Sequence, residues 1–240
     1  MDINAMLFVD IETVPLKDSL LKLPKQLQES WVKKATKKEW DPAKSYLEQS
    51  GLHAEFAKVC CISIGFFHTE NEGNDAGIRK FKVKSIYGAS EKAILKEFAG
   101  VLKAIKKSLC GHNVKGFDFP FLSKRYVINK VEMPASLITW GKKPWELEHF
   151  VDTMELWKFG SFSGATSLDA LCGALEVPTP KGDMDGSKVR EQYFKGQWKS
   201  ITDYCEKDVV ATARCLQRML YITPVPDEQV DSATKFSTDD

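Results

Sequence analysis

Two carboxylates stand inside an apolar run. Residues 6–12 read Met-Leu-Phe-Val-Asp-Ile-Glu, with Asp10 and Glu12 two positions apart. A strand alternates its side chains with period 2, so both acids fall on one face. An unpaired buried carboxylate is costly and demands Arg, Lys, a helix N-terminus or a metal ion. Taken alone, the pair is read most simply as a structural ion pair or a strand end reaching solvent. A third acid, Asp118, lies among Phe117, Phe119 and Phe121, where an N-cap role would suffice to explain it. A fourth, Asp208, follows Tyr204 by four residues and shares a helix face with it, so a surface Tyr–Asp hydrogen bond would account for both. Together, however, three separate segments bring Asp10, Glu12, Asp118 and Asp208 to apolar settings. Hard ions such as Mg2+ or Mn2+ take oxygen ligands, and two of them need several carboxylates converging from different elements. No histidine–cysteine cluster with zinc spacing competes with that reading.

The elements that must position these residues follow from periodicity. Residues 6–12 and 59–67 are apolar runs that predict buried strands. Between them, residues 16–57 lack strand periodicity and predict one or two short inserted helices. A turn is expected over 71–77, rich in Asn, Gly and Asp. Residues 78–86 then alternate, with Phe81 and Val83 on one face and Lys80, Lys82 and Lys84 on the other, the pattern of a half-exposed edge strand. Ser90 caps a helix whose apolar face holds Ile94, Leu95, Phe98, Val101, Leu102 and Ile105. Short strands are expected at 109–112 and 150–153, and a helix opens near Pro120 and runs to about Tyr126. Ser167 caps a helix to Leu175, and 176–198 reads as a long loop. Ser200 and Asp203 resemble a capping box for a last helix ending near Met219, with Ile201, Cys205, Val209, Thr212 and Leu216 facing the core. The order predicts a single α/β domain over 1–223, a mixed five- or six-stranded sheet flanked by helices. Residues 224–240 are acidic and polar, and disorder is expected there.

Three motifs in order carry a resemblance to a known family. The VDIET at 9–13, the N-x-x-x-F-D at 113–118 and the Y-x-x-x-D at 204–208 resemble the exonuclease motifs of the DEDD (DnaQ-like) 3′–5′ exonuclease superfamily. The GHNVKGFDFPFL and SLDALCGALEVPTPKGDMDGS segments at 111–122 and 167–187 are similar to stand-alone bacterial members related to the proofreading domain of family B DNA polymerases. The resemblance spans roughly residues 6 to 220. It implies a ribonuclease-H-like fold and two Mg2+ or Mn2+ held by Asp10, Glu12, Asp118 and Asp208, with Asp10 shared between the ions. Tyr204 stands at the position that defines the tyrosine subclass, where its hydroxyl would orient the attacking water. Thr13 and Asn113 would help hold the terminal nucleotide, with Phe117 packed beside it. The implied reaction is hydrolysis at the 3′ end of a single strand, DNA in preference to RNA, with release of nucleoside 5′-monophosphates. An exoribonuclease, and a nucleic-acid-binding module without turnover, are the alternatives.

Composition limits the remaining readings. With 240 residues, 43% hydrophobic and 28% charged, the chain reads as an ordinary globular protein without a membrane span or secretory leader. Its six cysteines form no C-x-x-C pair, which predicts a reduced cytoplasmic protein; oligomeric state is left open. The net charge of +1 hides basic blocks, since residues 79–107 hold nine Lys or Arg against two acids. Such a block would guide a phosphate backbone only if it faces the site. His112 is expected to be a satisfied histidine, and Asp152 a strand-end acid. Asp183 and Asp185 lack the rest of a calcium loop. Trp140 and Trp145, near Lys142 and Lys143, are expected to pack in a core or an interface rather than to stack on bases.

Overall fold

The computed structural model describes residues 1–70, 77, 79–162, 164–179 and 184–236. Among them, six strands form one mixed sheet: β1 (Met6–Pro15), β2 (Ala57–Thr69), β3 (Arg79–Tyr87), β4 (Ser108–Gly111), β5 (Phe150–Asp152) and β6 (Val230–Ser232). Their order is β5-β4-β1-β2-β3-β6. The first three strands form an antiparallel meander, while β4 pairs parallel to β1, β5 to β4 and β6 to β3. This is an α/β fold with the mixed sheet that the strand order predicts. β1 lies inside the sheet with helices on both faces, and for that reason its sequence is apolar almost throughout.

The helices divide between the faces. Between β1 and β2, α1 (Lys25–Lys37) and α2 (Pro42–Gln49) build a small core of their own around fully buried Trp31 and Tyr46. The face carrying Leu7, Val9 and Ile11 is covered by α3 (Glu91–Ala104) and α4 (Asp118–Ile128). After β5 come α5 (Thr153–Trp157), α6 (Leu168–Ala174) and α7 (Val189–Phe194). The face carrying Phe8, Asp10 and Glu12 is covered by α8 (Trp198–Met219), which packs Val209, Ala213 and Leu216 on Phe8, Phe81 and Val83. Gly65 of β2 makes that close approach possible. A Cβ there would lie 2.4 Å from the Phe81 ring and 2.8 Å from Val209 Cγ1, closer than packed atoms tolerate. No helix of the described residues is long and apolar enough to cross a membrane.

A buried ion pair ties α3 to α4. Arg125 Nε donates to Glu91 Oε1 at 2.8 Å, and Glu91 also accepts from Val59 N at 2.8 Å and Asn129 Nδ2 at 2.8 Å. Both side chains are nearly inaccessible. Arg125→Met would leave the Glu91 charge buried without its cation, and we expect a loss of about 3–5 kcal/mol in chemical denaturation. A loss below ~1 kcal/mol would mean that the pair behaves like a surface one.

Several expectations need correction. The C-terminal segment is ordered through Phe236. Val225 is buried and bonds Gln217 and Arg214, and β6 pairs with β3 at residues 81–83. The alternating β3 is therefore not the sheet edge there. The 176–198 loop contains α7, and α5 follows β5 directly. Both helices are too short, at 6 and 5 residues, to show a helical period. The last helix begins at Trp198, so Ser200 sits in its first turn rather than at its cap. Except for Gly77, the turn expected at 71–77 lies outside the described residues.

Candidate active site

The strand β1 delivers two of the acids and fixes their spacing. Asp10 pairs across to Ser63 and Glu12 to Cys61, which keeps both on the α8 face. Immediately after Glu12 the register slips by one residue on β2, passing over Cys60. Cys60 and Cys61 consequently join one cluster with Val14, Ile201 and Cys205. Cys205 of α8 reaches the acids themselves: its Sγ lies 3.3 Å from Asp10 Oδ2 and 3.5 Å from the Asp10 carbonyl. One ligand atom each of Asp10, Glu12 and Cys205 falls within a 4.8 Å span.

The third acid comes from the opposite layer. β4 pairs with β1 only over Met6–Phe8, so on that edge the Ile11 N–H extends beyond the ladder. Asp118 Oδ1 accepts this N–H at 3.2 Å, which pins its carboxylate to the backbone between Asp10 and Glu12. Asp118 is the first residue of α4 and is not its N-cap. The loop leading to it is clamped by Asp152, whose carboxylate accepts from Asn113 N at 2.9 Å and Lys115 N at 3.0 Å while capping α5. Asp152 is thus committed to backbone donors. Asn113 adopts φ 60°, a left-handed conformation that asparagine tolerates, and the turn it makes aims Phe117 and Asp118 back at β1.

The fourth acid lies on α8. Tyr204 and Asp208, one helical turn apart, are hydrogen-bonded through their side chains, and both are half-buried. Their burial beside the other acids shapes the electrostatics. Asp10 and Glu12 are pushed well above the carboxylate range, first by desolvation and then by the charges of Asp208 and Asp118. Desolvation also raises Asp118, to about 7, against the opposing pull of its backbone N–H bonds. Burial raises the Tyr204 hydroxyl as well, so it stays protonated and able to donate. Among the described residues no Lys or Arg forms an ion pair with Asp10, Glu12 or Asp118. Mutually repelling carboxylates at Asp10, Glu12 and Asp118, with no Lys or Arg paired to them among the described residues, fit hard divalent ions by their donor chemistry.

The other candidates sort by their partners. Thr13 lies on the next turn of the β1 pleat, and its hydroxyl donates to the Gly51 carbonyl at 2.8 Å. Phe117 is half-buried and packs on Phe121. His112 is satisfied, with Nε2 donating to the Thr166 carbonyl at 2.8 Å and Nδ1 bonded to Thr153 Oγ1 at 2.9 Å. Asp185 bonds Ser187 in a local turn, and Asp183 lies outside the described residues. Trp140 and Trp145 are 74% and 65% exposed, so of the expected core or interface packing the core alternative fails; Lys143 lies over the Trp145 ring. The β3 lysines occupy the α3 face, where Lys84 pairs with Glu97, and not the face of the acids. Cys205 is the participant that sequence reasoning assigned to the core. Its helical spacing hides it in the apolar stripe, and only the three-dimensional approach of α8 to β1 reveals its neighbours.

Sheet order, the covering helices and the acid-bearing central strand define an α/β domain of the ribonuclease-H-like type. The fold is similar to that of the family B DNA polymerase from the hyperthermophilic archaeon Pyrobaculum calidifontis, with a TM-score of 0.51 and 17% identity. The overlap covers 90% of this chain and 24% of the polymerase chain, so this chain spans about a quarter of that protein's length. No curated protein sequence matches the chain. Residues 50–231 match the family described as a predicted 3′–5′ exonuclease related to the exonuclease domain of PolB, and the chain belongs to that family. Asp118, Tyr204 and Asp208 lie within the matched stretch, whereas Asp10 and Glu12 precede it.

Proposed function

We propose that the chain hydrolyses phosphodiester bonds at the 3′ end of single-stranded nucleic acid, DNA in preference to RNA, releasing nucleoside 5′-monophosphates. The observation that carries this reading is the convergence of acids from β1, α4 and α8 with no Lys or Arg paired to Asp10, Glu12 or Asp118 among the described residues, in a chain of an exonuclease family. DNA is favoured because the family is described by its relation to a DNA polymerase domain.

Asp10, Glu12, Asp118 and Asp208 would hold two Mg2+ or Mn2+. When bound, such ions supply a water of lowered pKa and counter-charge for the leaving 3′-oxygen. The remaining work belongs to the chain. Asp118, anchored to the Ile11 N–H, keeps the α4 carboxylate in register with the two on β1. Tyr204, half-exposed with its proton engaged by Asp208, orients the attacking water through its hydroxyl oxygen. Asn113 and Phe117 flank Asp118 and hold the terminal nucleotide, while Thr13, its proton engaged by Gly51, keeps its lone pairs for a sugar hydroxyl.

Digestion of 3′-labelled and 5′-labelled strands, DNA and RNA in parallel, with Mn2+ and with a chelator, tests the reading. Immediate release of labelled mononucleotide from the 3′ label, and a shrinking ladder from the 5′ label, are expected only with metal. No degradation of either nucleic acid would favour a binding module. Tyr204→Phe removes a hydrogen bond that orients the water and leaves the carboxylates, so its rate should fall by about 10²-fold. An unchanged rate would remove Tyr204 from the reaction.

A further inference from the structure

A soft donor sits among hard ones. Cys205 Sγ lies 3.3 Å from Asp10 Oδ2, and the ligand atoms of Asp10, Glu12 and Cys205 share a 4.8 Å span. We propose that these three side chains form a site for a thiophilic divalent cation of the zinc class, whose occupation displaces the hard ion and stops turnover. The stopping of turnover rests on the exonuclease reading; the site itself does not.

Geometry supports three ligands on one ion. Tetrahedral zinc with bonds of about 2.3 Å to sulfur and about 2.0 Å to oxygen places the two donor atoms roughly 3.5 Å apart. The observed spacing needs only a small adjustment. Glu12 adds an independent sign: the residue is 8% exposed, its carboxylate belongs to the same trio, and that carboxylate has no hydrogen-bond or ion-pair partner among the described residues. An unpaired, nearly buried carboxylate beside a thiol and a second carboxylate lacks only a cation. Three protein ligands also leave a fourth tetrahedral position for water, as zinc accepts readily.

Donor chemistry decides which cation gains. Carboxylates serve Mg2+, Mn2+ and Zn2+ alike, whereas thiolate sulfur favours zinc and gives magnesium almost nothing. The presence of Cys205 therefore tilts this centre toward the softer ion. On binding, the thiol proton leaves to solvent and a sulfur–metal bond replaces the S–H···O contact to Asp10; no electron is transferred. Cys61, hydrogen-bonded to Cys205 but outside the trio, provides the neighbouring control.

Cobalt(II) is the probe, because a cobalt–thiolate bond absorbs strongly in the near ultraviolet while zinc is silent. Stoichiometric cobalt added to the full chain should produce that charge-transfer band, and added zinc should remove it. Cys205→Ser should lose the band and Cys61→Ser should keep it. Glu12→Gln, which retains the thiol, should weaken cobalt binding by about tenfold or more. With magnesium present, zinc inhibition should weaken by about tenfold or more in Cys205→Ser, each protein referred to its own zinc-free rate. The site is overturned by absence of the band in the unmodified chain, by its persistence in Cys205→Ser, or by an unchanged cobalt titration in Glu12→Gln. Unchanged zinc inhibition in an active Cys205→Ser protein overturns the competition. A chain that shows the band but degrades no nucleic acid keeps the cation site and refutes the exonuclease reading instead.

Discussion

Asp10→Asn and Asp208→Asn are each expected to slow release of mononucleotide from a 3′-labelled strand by about 10³-fold or more, with the fold retained. The amide keeps the size and half of the acceptors of each carboxylate but removes its charge. Asp10 lies on the central strand and Asp208 on the covering helix, so the two variants probe opposite walls of the site. Their stability separates function from architecture. The acids repel one another and are desolvated, so deleting one charge relieves the folded state. Melting in a chelator should therefore stay level or rise. A variant that unfolds would show that the carboxylate is structural, and a rate loss under about tenfold would remove it from catalysis.

Burial of these acids predicts an inverted pH dependence of stability. Asp118 is raised from the ordinary 3.8 to about 7 by burial. Between those values the folded protein holds a proton that the unfolded chain has lost, so stability falls as pH rises through that window. Below about pH 4 both states are protonated at this group and the penalty vanishes; above about pH 7 it is fully present. Asp118, Asp10 and Glu12 all shift in the same direction, so each adds to that loss. Thermal melting in a chelator should therefore show a higher midpoint at about pH 5 than at about pH 8. Mn2+ should restore the loss at the higher pH by binding only the folded state. Asp118→Asn should flatten the profile. A midpoint that climbs steadily from acid to neutral pH in the chelator would contradict the buried-carboxylate account.

What the sequence shows of this site depends on the range of the signal. Asp10 and Glu12 stand out because a central strand is apolar on both faces and an acid interrupts it. Tyr204 and Asp208 are legible through helical spacing. The register slip after Glu12 is not legible, because it depends on how β2 docks, and with it the gathering of Cys60, Cys61 and Cys205 stays hidden. The C-terminal strand is missed for a similar reason. Val-Asp-Ser carries no alternation of its own, and β3 holds it from about 150 residues earlier. The lysines of β3 read correctly as a polar face, but which helix layer that face meets is a tertiary fact.

One consequence concerns the order in which the chain is made. Cys205 and Asp10 touch across 195 residues of sequence, and the intervening Asp118 reaches the same strand from a separate layer. A growing polypeptide carries Asp10 and Glu12 early, and Cys205 of α8 emerges 195 residues after Asp10. Until that helix docks over Gly65, the first two acids face open water and repel each other without a wall to gather them. The assembled carboxylate cluster therefore arises only once α8 has been made. A fragment translated short of α8 holds Asp10, Glu12 and Asp118 but lacks Tyr204 and Asp208, so its carboxylate cluster is incomplete.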